Sequence, residues 1–259
     1  NIKNNFHGQY SDWGYNPVKN SLFGLSSGCW KNSDLCHEEG FIPLAIQLMN
    51  EHTSEDKIAE ETLQAAKAMM FESDDYRREF SESGLAAALV KVLKENPNDR
   101  GAVSLACESV RFLVGPAILG GPSGGRAVKS FDAQAQATAT REGLLEQLIA
   151  TATSGATLHH KEHGGFNFNV DESYNAIADC QQALTRMGHE NEANQQAMLK
   201  AGLNDLVVAT MSGWSTLSYR AKTAGCGLLG TLNANKLNAT AAESAAALLE
   251  TCMKHRTFD

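Results

Sequence analysis

Three histidines within five residues, His159, His160 and His163, are the densest group of metal-ligating side chains in the sequence. His159 and His163 stand four apart, a spacing that sets two imidazoles on one helix face and could hold zinc. The run His159, His160, Lys161, Glu162, His163 departs from the His-Glu-x-x-His order, however, and Gly164 and Gly165 follow at once. The segment therefore reads as a solvated polar loop whose charge responds to pH, and no metal is assigned to it. The glycines between Gly120 and Gly125 could cradle a phosphate, but no Gly-Lys-Ser/Thr ending and no strand accompany them, so they read as a flexible loop. Glu60 with Glu61 and Asp74 with Asp75 resemble carboxylate pairs for acid-base work. Neighbours on a helix point in different directions, though, and acids near helix starts complement the dipole, so both pairs read as surface or capping charge. Cys36 and His37 are adjacent, which fixes neither orientation nor hydrogen bonding for a catalytic dyad, and no Gly-x-Ser-x-Gly elbow is present. No residue is assigned a catalytic role and no cofactor is expected; the chain reads as a non-enzyme.

Composition narrows the setting. The 259 residues allow a large interior, either as two compact domains or as one elongated array. With 42% apolar and 20% charged residues, most of the chain is expected to fold. No stretch approaches the roughly 20 apolar residues of a membrane-spanning helix, and residues 1–5 carry no signal-peptide pattern, so a cytoplasmic protein, free or cytoskeleton-associated, is expected. The net charge is -8 and no run of Lys and Arg forms a stripe, which argues against nucleic acid as a partner. Six cysteines lie singly, with no Cys-x-x-Cys pair, at positions 29, 36, 107, 180, 226 and 252. That usage predicts free thiols in a reducing compartment, and it makes the sequon at Asn238 a chance triplet.

The elements that must position any site show themselves by repetition. Gly40, Gly84, Gly143 and Gly202 each introduce a stretch with apolar residues at helical spacing. Ahead of each glycine lies a short polar segment with one or two apolar anchors, as in residues 75–80 and 194–199. Ahead of that lies an Ala-rich amphipathic stretch, clearest in 63–70, 104–114 and 176–187. The predicted unit is long helix, turn, short helix, glycine, long helix. A fifth, degenerate copy fits residues 221–233 and 244–253, with Ser244 in the glycine's place. Glycine suits a sharp turn between helices because it tolerates positive φ, and alanine lets helices of adjacent units pack closely. Residues 53–56 offer a capping-box start, and Asn96, Pro97, Asn98 and Asp99 a breaker. The markers are separated by roughly 44, 59, 59 and 42 residues, against about 40 to 47 for armadillo or HEAT units. The two excesses, of about 17 residues each, fall at insertions near 115–129 and 154–171, which are expected on opposite edges of the array.

These residues resemble the armadillo family, most clearly in 194–202 and in the run from Gly40 to Met49 with Pro43 inside it. The resemblance covers roughly residues 17–253. Phe6, Tyr10, Trp13 and Tyr15, which interleave with Gly8 and Gly14 without helical period, read as an aromatic arm at 1–16 that caps the first repeat or docks on a partner or a second copy. The resemblance implies an all-α, right-handed superhelical solenoid of about five repeats at 17–259. It also implies a protein-protein interaction scaffold that binds a partner's peptide or helix along a concave groove. Import adaptors of the family carry Trp and Asn four residues apart on each groove helix. Here those positions align with Lys67 and Phe71, Glu108 and Phe112, Gln182 and Arg186, and Gly227 and Thr231, so the Trp and Asn ladder is absent. The expected groove is Lys67, Phe71, Glu108, Phe112, Gln182, Arg186 and Thr231. The alternative role is a structural subunit held in a cytoskeletal or ciliary assembly through the insertions and the arm.

Overall fold

Short helices with strong caps and a glycine at their exit set the rhythm of the chain. The computed structural model describes residues 17–53, 58–115, 132–162, 171–212, 219–232 and 237–256, and among these it contains fourteen α-helices and no strand. In chain order they are α1 (Pro17–Lys31), α2 (Ser33–Glu38), α3 (Phe41–Glu51), α4 (Ile58–Glu72), α5 (Asp74–Glu82), α6 (Leu85–Glu95) and α7 (Arg100–Val114). Then follow α8 (Ala133–Arg141), α9 (Leu144–Glu162), α10 (Asp171–Gly188), α11 (Glu192–Lys200), α12 (Leu203–Ser212), α13 (Tyr219–Thr231) and α14 (Ala239–Arg256). None is long and apolar enough to cross a membrane, among the described residues.

Each short helix starts on a side-chain cap: Asn32, Ser73, Asp132 and Asn191 accept from backbone N–H groups one turn on, at 2.9 to 3.4 Å. Each ends before a left-handed glycine, with φ of 75° at Gly40, 92° at Gly84, 79° at Gly143 and 103° at Gly202. A Cβ costs roughly 1–2 kcal/mol in that region, which explains the residue type. The breaker also holds, since Asp99 caps α7 by accepting from the N–H of Ala102 at 3.1 Å.

The helices stack in ranks. Helices α1, α4, α7, α10 and α13 pack each on the next, as do α3, α6, α9 and α12, and the short α5, α8 and α11 form a third row. Between the ranks lies the core, including Leu63, Met69, Phe80, Leu89, Leu113, Leu144, Leu184 and Leu206. Alanines such as Ala66, Ala106 and Ala183 are fully buried where long helices meet.

One further tie recurs. Arg77 donates to the carbonyl of Gly115 at 3.0 Å, Gln136 to that of Arg186 at 2.8 Å, and Gln195 to that of Thr231 at 3.0 Å. All three stand seven residues ahead of a marker glycine and satisfy a carbonyl at the C-terminal end of the next long helix, a group the helix itself leaves unpaired. Arg77 is buried and also pairs with Asp74. Arg77→Met, which keeps the stem and removes the donors, is expected to lower the unfolding free energy by about 2 kcal/mol in urea titrations.

Four expectations need correction. Five of the six cysteines are not free: Cys29 is bonded to Cys36 and Cys107 to Cys180, with Cα–Cα distances of 5.5 and 4.8 Å, and Cys226 is also disulfide-bonded. Cys107 and Cys180 are 73 residues apart and meet because α7 packs on α10, a proximity that local spacing does not show. A reducing compartment therefore no longer follows from the cysteines. Ser244 does not break the chain, since α14 runs through it; serine lacks glycine's freedom at positive φ, and the alanines around it favour helix. The insertion placed at 154–171 is partly helical, because α9 continues to Glu162. For the same reason His159 and His160 lie on a helix rather than in a loop. The aromatic arm at 1–16, the capping residues 54–56, the insertion from 116 to 129, including the glycine-rich run, and His163 lie outside the described residues.

Candidate binding groove

The rank of long helices presents one continuous face, and its side chains meet at a fixed offset. Trp30 on α1 stacks on Phe71 on α4, with ring centroids 5.9 Å apart and planes at 12°; Phe71 meets Phe112 on α7 edge-on at 6.2 Å. One turn earlier, Lys67 donates to Glu108 at 2.8 Å. Further along, Arg220 on α13 donates to Asp179 on α10 at 2.6 Å. Each of these contacts joins residues 41 apart. Between α7 and α10 the offset is 75, set by the hydroxyl of Ser104 donating to Asp179 at 2.5 Å. The 34 extra residues are the two excesses of about 17 together, so the same register survives both insertions.

The aromatic ladder is open to solvent at one end. Trp30 is 58% exposed and Phe23, two turns before it on α1, is 60% exposed. They line a cleft of about 490 Å³ with Glu60, Gln64 and Lys31, while Phe71 and Phe112 are half-buried. The other end is charged. Asp179 is fully buried, and burial raises its carboxyl to about 6, against the opposing effects of the Ser104 hydrogen bond and of Arg220. Arg111 on α7 faces the same carboxylate at 3.7 Å, and Arg220 also lies 3.9 Å from Glu108. Burial lowers the Arg186 guanidinium, and the charge of Arg111 lowers it further; burial likewise lowers Lys222.

Of the seven expected groove residues the structure joins Lys67 to Glu108 and Phe71 to Phe112. Lys67, Phe71, Glu108, Phe112, Gln182 and Arg186 are half-buried along α4, α7 and α10. Thr231 sits at the C-terminal end of α13 instead, its hydroxyl donating to the carbonyl of Leu228 and its own carbonyl accepting from Gln195. The 41-residue offset pairs Gln182 with Thr223. Sequence reasoning missed Phe23 and Trp30, although the spacing of Trp30, Phe71 and Phe112 is a readable signal. It also missed the polar group of Ser104, Arg111, Asp179 and Arg220. Cys36 and His37 do not form a dyad: Cys36 is in a disulfide, and His37 Nε2 pairs with Glu79 at 2.7 Å and stacks on Tyr76. Glu61, half-buried, accepts from the hydroxyl of the buried Ser26 at 3.3 Å, while Asp75 pairs with Arg78 on the surface. Among the described residues no group of three potential metal ligands converges.

No protein-family model matches the chain, and no curated protein is similar to it. A solved structure described as an engineered protein is similar at a TM-score of 0.61, with 14% identity over 89% of this chain and 78% of that one. At that identity the likeness speaks for the all-helical fold alone.

Proposed function

We propose that the chain is an armadillo-type solenoid that acts as a non-enzymatic scaffold, holding an extended peptide or a helix of a partner protein along the face of α1, α4, α7, α10 and α13. The observation that carries this reading is the ladder Trp30, Phe71, Phe112, which lies in register across three helices and leaves Trp30 58% exposed. A row of half-buried aromatics flanked by paired charges has the make-up of an interface hot spot, where aromatic and Arg side chains dominate and polar neighbours set orientation. The disulfides favour an oxidising compartment over the cytoplasm for this scaffold.

The test is affinity capture from native extract with mass spectrometry, comparing wild type with the double variant Phe112→Ala, Arg186→Ala. A partner held by the wild type and lost by the variant at a similar melting temperature supports the groove. A double variant that unfolds places both residues in the core and removes the reading.

A further inference from the structure

We propose that Arg111 and Arg186 form an anion-recognition point in this groove, which takes an Asp or Glu carboxylate of the bound segment whose apolar neighbour rests on Phe71 and Phe112. The proposal rests on the groove reading and adds the chemistry of its occupant.

The register places Arg111 and Arg186 level with one another on packed helices, near enough for the charge of Arg111 to act on Arg186. Ser104 and Asp179 touch at 2.5 Å, and Arg111 and Arg186 stand seven residues further along α7 and α10 respectively. Seven residues are close to two turns, which returns each side chain to the same helix face at the same height, about 10 Å along the axis. The disulfide between Cys107 and Cys180 pins the two helices within this stretch. Two like charges on facing helices repel, and the lowered affinity of Arg186 for its proton reports that repulsion together with burial. An anion bound at this point interacts with both charges.

Arg111 has donors to spare. Asp179 is already taken on both oxygens, by the Ser104 hydroxyl and by Arg220. Arg111 stands 3.7 Å from it, beyond hydrogen-bonding range, and its Nε is buried without an acceptor. A guanidinium presents five N–H donors in a fork that matches a carboxylate in two places. Phe112 is the next residue along α7, so an anion held here lies at the end of the aromatic ladder. Glu108, a further carboxylate on this face, is held by Lys67 at 2.8 Å. The groove thus changes from apolar to cationic along its length, and a segment carrying an aromatic or aliphatic residue followed by an acid complements it.

The probe is a library of short random peptides displayed on phage and selected on the full chain. Fluorescence anisotropy then compares the most enriched peptide with two twins, one carrying Asn and Gln for its acids and one carrying phosphoserine. Selected sequences are expected to couple an aromatic or aliphatic residue to Asp or Glu, and the amide twin to bind about tenfold more weakly. R186Q is expected to erase most of that difference between the acidic peptide and its amide twin, and R111Q to do the same. R186Q decides alone if R111Q does not fold. Aromatic enrichment without acids, with binding lost in F112A, overturns the anion point and leaves the groove standing. A phosphoserine twin that binds about tenfold tighter still overturns the carboxylate assignment in favour of phosphate. Peptides indifferent to F112A overturn the groove itself, and the anion point with it.

Discussion

Cys107→Ala is expected to lower the unfolding free energy by about 4 kcal/mol in oxidising buffer, and by far less when wild type and variant are compared under reductant. The size follows from where the cross-link falls. Neighbours in the long-helix rank are elsewhere 41 residues apart, but α7 and α10 are 75 apart because both excess segments lie between them. Bringing these two helices together closes the longest loop of the rank, and the cost of closure grows with loop length. Joining Cys107 to Cys180, 73 residues away, removes that cost from the unfolded chain in advance. The bond from Cys29 to Cys36 closes only a seven-residue separation, and its loss is expected to cost about 2 kcal/mol. Urea titrations of both variants with and without dithiothreitol measure the difference. If Cys107 and Cys180 of the denatured wild type, never exposed to reductant, react with iodoacetamide, the pair is not bonded and the expectation fails.

How far the residues announce this structure depends on whether a contact is local. The turn at Gly84 is legible because left-handed backbone selects glycine whatever surrounds it, and the start of α5 is legible because Ser73 caps it from within the same turn. Packing of the long helices is legible more coarsely, through alanines at close helix contacts. The ties at Arg77, Gln136 and Gln195 escape notice because two different residue types do one job; only their common distance from a marker glycine links them. The proposed groove is half legible. Lys67 with Glu108 and Phe71 with Phe112 follow from a simple offset, whereas the α10 side needs the lengths of both insertions before its register is known. Trp30 escapes because α1 precedes the first marker glycine. Asp179 looks like one polar residue in an apolar helix, between Ala178 and Cys180, until α7 and α13 bring Ser104 and Arg220 to it.

Asp179→Asn is expected to change the pH dependence of stability more than its value at any one pH. Burial lifts the wild-type carboxyl from an ordinary 3.8 to about 6, so between those values the folded chain holds a proton that the unfolded chain has released. Stability from this group is therefore fully present below about pH 4 and is lost as pH rises through about 6. Each pH unit between the folded and unfolded values corresponds to roughly 1.4 kcal/mol, so the loss amounts to about 3 kcal/mol across the window. An asparagine keeps an oxygen for the Ser104 hydroxyl and has no charge to desolvate. It also leaves Arg111 and Arg220 without an anion, as the protonated wild-type carboxyl does at the acid end of the window, and the asparagine has no proton to exchange. The difference in unfolding free energy between variant and wild type should therefore rise by about 3 kcal/mol in the variant's favour from pH 4 to pH 7. Urea titrations at half-unit intervals across that range measure it. Parallel curves would show that Asp179 titrates as an ordinary carboxylate, and hence that its buried contacts with Ser104 and Arg220 compensate its charge in full.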